Sequence, residues 1–272
     1  MSNLKLSIIT VNLNNLEGLK RTYESIVSQT FKNYEWLVID GGSTDGSKEF
    51  IEQHQDKFSY WCSEPDKGIY NAMNKGIVRA KGEYLNFMNS GDCFASENTL
   101  TEVFCTPQTA DILYGYMLVG TINGNVFFMR SMKEELHWYD LYTSTLPHQS
   151  SFIKRVLFEK IGLYDENFKI GSDARWFITA FIKYGVSYKF IPRKIAIFEG
   201  GGISSTSDVF QEIKKQREGI FPDFITEEDV SNLEILSIIQ KTKTTRFLFK
   251  IVKVLAFKIN SIIHKRNLKR DQ

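Results

Sequence analysis

Leu6-Ser-Ile-Ile-Thr-Val-Asn-Leu-Asn-Asn15 opens a series of three short apolar runs that each end in polar residues. The second run is Tyr34-Glu-Trp-Leu-Val-Ile-Asp-Gly-Gly-Ser-Thr-Asp-Gly46, and the third is Gly82-Glu-Tyr-Leu-Asn-Phe-Met-Asn-Ser-Gly-Asp92. Short apolar runs bounded by turn residues are typical of buried parallel strands. Because ligands of open α/β sheets bind beyond the carboxyl ends of such strands, the polar ends predict a binding site along one edge of the sheet.

Residues with helical periodicity occupy the gaps between these runs. Apolar side chains recur at helical spacing over 16–29 and 69–80, and a further helix is expected to start near Ser47, with Ser43 and Thr44 supplying its N-cap. Strands and helices alternate with short connections, which predicts right-handed parallel βαβ units and an α/β fold. The strands predicted in this half are 6–11, 35–39, 58–62 and 84–88.

The pattern changes after Asp92. Two strand-like runs flank Asn123-Gly124, a dipeptide typical of hairpin turns, and later strands are again separated by helices. The sheet as a whole is therefore predicted to be mixed, with helices on both faces. The elements predicted in this half are helices 97–105, 155–161 and 172–184, strands 111–119, 125–130, 151–154, 187–191 and 194–198, and an irregular segment over 133–150.

Composition is that of a globular protein. The chain has 272 residues, of which 42% are hydrophobic and 14% aromatic, enough for a full core. We expect one domain over residues 1–220 and a helical C-terminal extension over 221–272. The three cysteines show no metal-ligand spacing, which favours reduced packing thiols. With neither a signal peptide nor a stretch of roughly 18 to 20 uncharged apolar residues, a cytoplasmic location is expected.

Charge is unevenly distributed along the chain. Residues 1–220 hold 24 Lys and Arg against 26 Asp and Glu, which is not the balance of a nucleic-acid-binding protein. Residues 241–272 hold ten basic residues and one acid, Asp271. On a helix, the bases and apolar residues of 241–270 separate into two faces, which favours docking to an anionic membrane surface. The alternative is a helix that packs on the domain over residues 1–220 or on a second subunit as a homo-oligomer.

Three polar clusters are candidates for chemistry. Asp40, followed by two glycines, can accept from a base or a ribose hydroxyl at a strand end, or can simply cap the next helix. The segment 63–76 places donors and acceptors at a helix N-terminus, where anions such as a diphosphate bind. The turn 89–92 ends in Asp92, one hard ligand for a divalent cation, although a polar turn would look similar.

The chain resembles the family 2 glycosyltransferases over about residues 5–205. Four segments in a fixed order carry the resemblance: Thr10-Val-Asn12, Asp40-Gly-Gly-Ser-Thr-Asp-Gly46, Glu64-Pro-Asp-Lys-Gly-Ile-Tyr70 with Asn74-Lys-Gly76, and Gly82-Glu-Tyr to Asn89-Ser-Gly-Asp92. It implies a GT-A fold, the Rossmann-like fold of nucleotide-diphospho-sugar transferases. It also implies inverting transfer from a UDP-sugar or similar donor, as in bacterial enzymes of cell-surface polysaccharide synthesis, whose saccharide acceptors are commonly lipid-linked.

The resemblance also assigns roles to residues of this chain. Asp173, in Gly171-Ser-Asp173, corresponds to the aspartate that deprotonates the acceptor hydroxyl, and Asp92 to the last acid of the metal motif that holds Mn²⁺ or Mg²⁺. His148, in a His-Gln segment, is either a contact of acceptor or donor or a structural residue. The donor contacts implied are Thr10, Val11, Asn12, Asp40, Asp66, Lys67, Gly68, Asn74, Asn89 and Ser90.

Two positions depart from the family pattern. Asn89 and Ser90 stand where carboxylates are common, so metal binding depends on Asp92 and the donor phosphates. Asn71 stands where relatives commonly have Asp, at a position expected to contact donor or acceptor.

Two rival interpretations are compatible with a nucleotide-binding α/β sheet. A nucleotidyltransferase that makes the activated sugar should open with a glycine-rich basic loop, whereas residues 10–15 contain neither glycine nor base. A catalytically inactive carbohydrate-binding or scaffold protein would explain Asn71 and Asn89.

Overall fold

The computed structural model describes residues 4–121, 124–130, 133–136, 140 and 146–199. The predicted extension over 221–272, including the basic segment 241–270, lies outside these residues. Within the described ranges, no helix is long and apolar enough to cross a membrane.

Strands and helices alternate through the first hundred residues and again after residue 150, close to the predicted bounds. The strands are β1 (Leu6–Asn12), β2 (Tyr34–Asp40), β3 (Tyr60–Ser63), β4 (Tyr84–Phe87), β5 (Cys93–Phe94), β6 (Ile112–Thr121), β7 (Gly124–Arg130), β8 (Ser151–Lys154) and β9 (Tyr188–Glu199). The helices are α1 (Leu16–Val27), α2 (Ser47–Gln53), α3 (Ile69–Arg79), α4 (Thr99–Phe104), α5 (Val156–Ile161) and α6 (Ser172–Ile182), with short 3₁₀ turns at Gln55–Lys57 and His148–Ser150.

One mixed sheet contains all nine of these strands, in the order β3-β2-β1-β4-β8-β6-β9-β5, with β7 paired to β6. The first four strands in this order are parallel, as the βαβ pattern predicts. Direction reverses at β8, which is antiparallel to both β4 and β6. Parallel strands deliver their carboxyl ends to one edge, so β1, β2, β3 and β4 present their polar ends together.

The core lies on both faces of the sheet because successive side chains of a strand point to opposite faces. From β1, Ile9 joins a cluster that contains Phe177 of α6, while Ile8 joins a second cluster that contains Leu19 of α1. All four are fully buried. This two-sided burial explains why the apolar residues of β1 do not simply alternate with polar ones.

Two predictions about local structure were wrong. Residues 187–191 and 194–198 form one strand, β9, because Pro192 and Arg193 are accommodated in a bulge: Ile191 pairs with Gly115, and Lys194 with Tyr116. A Cβ at Gly115 would lie 2.8 Å from the carbonyl oxygens of Ile191 and Arg193, so glycine permits this close approach.

The predicted N-cap of α2 was also wrong. Helix α2 starts after Gly46, which has φ 95° and makes no side-chain cap. Ser43 is unavailable as a cap because its Oγ already accepts from Asn14 N at 2.7 Å and from Asn12 Nδ2 at 3.1 Å.

Candidate active site

The register of the parallel strands aligns three polar residues in one row. Asn12 of β1 pairs with Asp40 of β2, and Asp40 pairs with Ser63 of β3. Asn12 Nδ2 donates to Asp40 Oδ1 at 2.7 Å, and Ser63 Oγ donates to Asp40 Oδ2 at 2.6 Å. The strand ends are therefore joined by side-chain hydrogen bonds as well as by the ladder.

Asp40 is the centre of this row and is fully buried. Besides Asn12 and Ser63, it accepts from the Ser43 hydroxyl and from the backbone N–H groups of Ser43 and Gly42. Burial alone would raise the pKa of Asp40, but the bonds from Ser43, Ser63 and Asn12 outweigh it and hold the pKa below its ordinary value. Five donors use the acceptor capacity of a carboxylate. A direct contact with the nucleotide stays a prediction, and it would require one of these donors to be exchanged.

The Thr10 side chain makes its hydrogen bonds within the sheet. It is fully buried, donates to Met88 O at 2.8 Å and accepts from Trp36 Nε1 at 2.9 Å. Val11 is 6% exposed and belongs to the core. A contact of the donor with Thr10 or Val11 stays a prediction, and since β1 is covered on both faces it would have to use backbone groups. Asn12 differs, since its Oδ1 is buried and has no hydrogen-bond partner among the described residues.

The loop before α3 lies against the end of β2. A Cβ at Gly41 would lie 2.6 Å from Asp66 Oδ2, so the absence of a side chain lets the Asp66 carboxylate approach the strand. Asp66 Oδ1 accepts from Gly68 N at 2.8 Å, and Gly68 has φ 117°, which favours glycine. Lys67 is exposed. A basic residue at the N-terminus of α3, close to the row of strand ends, is suited to a diphosphate.

Asn71 and Asn74 lie on α3 and face the loop that precedes α6. Asn71 Nδ2 donates to Glu166 Oε2 at 2.8 Å, and Asn74 Nδ2 donates to Glu166 Oε1 at 2.9 Å and to Tyr164 O at 2.8 Å. Asn74 Oδ1 accepts from Tyr164 N at 3.0 Å. Both ends of the buried Asn74 amide are thus used to hold the loop that precedes α6. A contact of Asn74 with the ribose and phosphates stays a prediction, and it would have to replace one of these hydrogen bonds.

The turn 89–92 is fixed from α1. Thr22 Oγ1 donates to Asp92 O at 2.7 Å and accepts from Gly91 N at 3.0 Å. Asn15 Nδ2 donates to Ser90 O at 3.0 Å. The Asp92 residue is 5% exposed. No group of three His, Cys, Asp or Glu side chains in the described part of the chain is arranged to hold a metal ion.

Asp173 lies in the first turn of α6 and is held by two other parts of the chain. Tyr70 OH donates to Asp173 Oδ1 at 3.0 Å, and His148 Nδ1 lies 2.9 Å from Asp173 Oδ2. Gly171, the N-cap of α6, donates its N–H to Tyr70 OH at 2.8 Å. The Asp173 side chain retains 15% exposure, so a hydroxyl can still reach it.

The ionised form of Asp173 is favoured. Burial by itself would raise the pKa of Asp173, but the hydrogen bonds from His148, Tyr70 and the Ala174 N–H outweigh it and hold the pKa below the ordinary value. The position in the first turn of a helix favours the anion further. Asp173 is therefore ionised at neutral pH and able to accept a proton.

Three residues of this site were not singled out from the sequence. They are Tyr70, Tyr164 and Glu166, which contact Asp173, Asn74 and Asn71 across long stretches of chain. Burial strongly raises the pKa of Tyr70, which therefore stays a neutral hydrogen-bond donor. Tyr70 does lie in the Ile69-Tyr70 pair of a quoted motif, and that position was a usable signal.

Comparison with known proteins identifies the family. A model described as Glycosyl transferase family 2 matches residues 7–162. The chain is 35% identical over 184 residues to an uncharacterized glycosyltransferase of Mycobacterium tuberculosis, covering 64% of this chain and 68% of the relative. It is 27% identical over 210 residues to a PGL/p-HBAD biosynthesis glycosyltransferase of Mycobacterium bovis, covering 74% of this chain and 79% of that protein.

Solved structures share the fold. S. aureus TarS 1–349 in complex with UDP-GlcNAc aligns with a TM-score of 0.62 at 19% identity, over 81% of this chain and 71% of that one. The chain spans 42% of the longer TarS chain. The mannosyltransferase PcManGT from Pyrobaculum calidifontis, in complex with GDP-Man and Mn²⁺, aligns with a TM-score of 0.52 at 14% identity, over 93% of this chain and 80% of that one. The GT-A fold expected from the sequence is confirmed, and because the family model covers more than half of the chain, this protein belongs to glycosyl transferase family 2.

Proposed function

We propose that the protein transfers a sugar from a UDP-sugar or similar donor to a hydroxyl of a saccharide acceptor, with inversion at the anomeric carbon. The observation that carries this proposal is the ionised, partly exposed Asp173 carboxylate, hydrogen-bonded to Tyr70 of α3. Helix α3 begins at the loop 66–68, beside the row of strand ends. The proposed base, Asp173, is thus hydrogen-bonded to α3, and the N-terminus of α3 is suited to the donor phosphates.

In the proposed reaction the acceptor oxygen attacks the anomeric carbon as Asp173 takes its proton. The new bond joins the acceptor oxygen to the anomeric carbon, and the bond to the diphosphate oxygen breaks with its electron pair leaving on the nucleoside diphosphate. Asp173 ends as a carboxylic acid. General-base catalysis of this kind contributes roughly 10²- to 10⁴-fold. Tyr70 and His148 orient the carboxylate, and Lys67 and the N-terminus of α3 attract the diphosphate.

The residues present fit a Mn²⁺ or Mg²⁺ ion shared with the substrate. Such ions are commonly bound by one or two carboxylates together with substrate phosphates and waters. Asp92, a buried carboxylate on the turn after β4, is the residue that would hold the ion. A bound ion supplies charge neutralisation for the leaving diphosphate. Support for this comes from the Mn²⁺ and GDP-Man in the structurally similar PcManGT.

The acceptor is proposed to be lipid-linked, and the protein to work at the inner face of the cell membrane. Supporting this are the ten basic residues of 241–272 and the glycolipid pathway named for a relative. Flotation with anionic and neutral vesicles, comparing the full chain with one ending at residue 240, tests the membrane contact. A full chain that stays unbound on anionic vesicles at low salt would assign the basic segment to protein packing.

The transfer is tested by incubating the protein with a panel of UDP- and GDP-sugars, Mn²⁺ and saccharide acceptors, and measuring release of the nucleoside diphosphate. Acceptor-dependent release that is lost in Asp173→Asn supports the proposal. Pyrophosphate release from a nucleoside triphosphate and a sugar phosphate would instead indicate a nucleotidyltransferase. Binding of a nucleotide sugar with no turnover for any acceptor would indicate the inactive carbohydrate-binding protein.

A further inference from the structure

A chain of hydrogen bonds connects the turn after β4 to the N-terminus of α6. Asn89 Nδ2 lies 3.2 Å from His148 Nε2, and His148 Nδ1 lies 2.9 Å from Asp173 Oδ2. On the other carboxylate oxygen, Tyr70 OH donates to Asp173 and accepts from Gly171 N. Both ring nitrogens of His148 are therefore held: Nε2 by the amide of Asn89, and Nδ1 by the carboxylate of Asp173.

The two partners of His148 determine where its proton lies. An ionised carboxylate only accepts hydrogen bonds, so Nδ1, which faces Asp173, must carry a proton. The Asn89 amide is oriented with its nitrogen towards Nε2 and its buried Oδ1 without a partner among the described residues, and since an amide nitrogen only donates, Nε2 must present its lone pair. These two conditions are met together by the neutral Nδ1–H tautomer and not by the imidazolium ion.

His148 lies in a largely covered site. Its side chain is 14% exposed, and its ring meets the ring of Phe87 edge-on with centroids 6.4 Å apart. The titratable group that faces His148 is Asp173. Those that face Asp173 in turn are Tyr70 and Tyr164. Both tyrosines stay neutral, because burial raises the pKa of each.

We propose that Asn89 holds His148 in the neutral Nδ1–H tautomer and so makes His148 the positioning residue of the Asp173 carboxylate. This rests on the proposed function, in which Asp173 takes the acceptor proton. Because Nδ1 already carries a proton, His148 cannot take a second one from Asp173 there. The acceptor proton therefore stays on the carboxyl group of Asp173, and the role of His148 is to orient that carboxyl group.

The proposal explains the amide at position 89. A carboxylate there would accept from Nε2 and hold His148 as an imidazolium ion between two anions. A cation in contact with Asp173 stabilises its ionised form and makes it a weaker base. Asn89 thus maintains the basicity of Asp173, and its departure from the family pattern is a feature of the base rather than a defect of the metal motif.

Nitrogen-15 long-range correlation spectra of the imidazole rings test the tautomer directly, in the protein alone at about pH 7.5, without substrate. The His148 signals are assigned by their loss in His148→Gln or, if that variant does not fold, by elimination with the other three histidines. We expect one protonated nitrogen, Nδ1, in the wild type and two in Asn89→Asp. Ser90→Asp adds the same charge one residue away, where the side chain faces Asn15, and should leave the His148 spectrum unchanged. An Nε2–H tautomer or an imidazolium in the wild type would overturn the proposal.

Kinetics separate this proposal from the proposed function. In Asn89→Asp, kcat should fall roughly tenfold. The acidic limb of the plot of kcat against pH should move to lower pH, because Asp173 is a weaker base in this variant. If kcat falls but the acidic limb of its pH profile and the His148 spectrum do not change, Asn89 has only a structural role and the inference is wrong. Absence of transfer in the wild type, together with the expected tautomer, would instead remove the proposed function and leave the assignment of the ring protons standing.

Discussion

Asp40 and Asp173 are both buried carboxylates with a lowered pKa, yet their surroundings differ in a way that separates their roles. Asp40 accepts five hydrogen bonds and has no exposed surface, whereas Asp173 accepts three, from Tyr70, His148 and the Ala174 N–H, and keeps 15% of its side chain exposed. A saturated carboxylate organises the groups around it. One with accessible lone pairs can react.

The origin of the hydrogen-bond donors differs as well. Those of Asp40 come from β1, β3 and the loop that directly follows β2. The side-chain donors of Asp173 are Tyr70 and His148, which are 103 and 25 residues away in sequence. The row of strand ends around Asp40 is therefore built from neighbouring strands, while the surroundings of Asp173 are assembled from three separate parts of the fold.

Removing the charge of Asp173 should have the largest effect. In Asp173→Asn we expect kcat to fall by roughly 10²- to 10⁴-fold, since the amide cannot take a proton from the acceptor. Donor affinity, measured by calorimetry with the nucleotide sugar, should stay close to that of the wild type. The control is Asp165→Asn, on the loop before α6, which should transfer normally. Near-normal transfer by Asp173→Asn would place the base elsewhere.

Asp40 should matter first for stability. In Asp40→Asn the carboxylate that accepts from Ser43, Ser63 and Asn12 is replaced by an amide whose NH₂ cannot accept, which leaves buried donors unpaired. The expected loss is about 2 to 3 kcal/mol of the free energy of unfolding, measured in urea. Asp56→Asn, at an exposed site, is the control and should unfold at the wild-type urea concentration. If Asp40→Asn is as stable as the control, the hydrogen bonds to Asp40 contribute nothing.

The same variant gives a pH test. The pKa of Asp40 is lower in the folded protein than in the unfolded chain, so its contribution is complete above the unfolded value of about 4. That contribution is lost as pH falls through the folded pKa. The stability difference between wild type and Asp40→Asn should therefore be constant near neutral pH and shrink below about pH 4. A difference that grows on acidification would contradict the direction of the shift.

The sequence predicted the row of strand ends around Asp40 far better than the surroundings of Asp173. Each apolar run with a polar end is local, and parallel pairing of neighbours then brings Asn12 next to Asp40. Contacts such as Asn71 with Glu166, 95 residues apart, depend on how α3 packs beside the loop before α6. No local pattern records this packing. The same limit applies to Asn74, whose motif is visible in the sequence but whose side-chain direction is set by tertiary contacts.

Asp92 should have an intermediate effect if it holds the ion. In Asp92→Ala we expect donor affinity in the presence of Mn²⁺ to fall roughly tenfold, because the site has few other hard ligands. The measurement is donor titration with Mn²⁺ and with EDTA, where the two proteins should become similar. Asp45→Ala, on the loop before α2, is the matched control and should keep its Mn²⁺ response. Transfer that ignores both EDTA and the Asp92 substitution would remove the metal from the mechanism.

The smallest effect is expected where this chain departs from its relatives at α3. Asn71→Asp places a carboxylate against Glu166, whose pKa is now lowered by hydrogen bonds from Asn74 and Asn71. Because Glu166 is exposed, the repulsion should cost only about 0.5 kcal/mol of the free energy of unfolding. Glu166→Gln removes one of the two charges, so the double variant should recover that loss in urea unfolding. The coupling would show that Asn71 and Glu166 stabilise the loop before Asp173 as a pair. If the two substitutions are additive, Asn71 does not act through Glu166, and a direct contact with donor or acceptor becomes the better account of position 71.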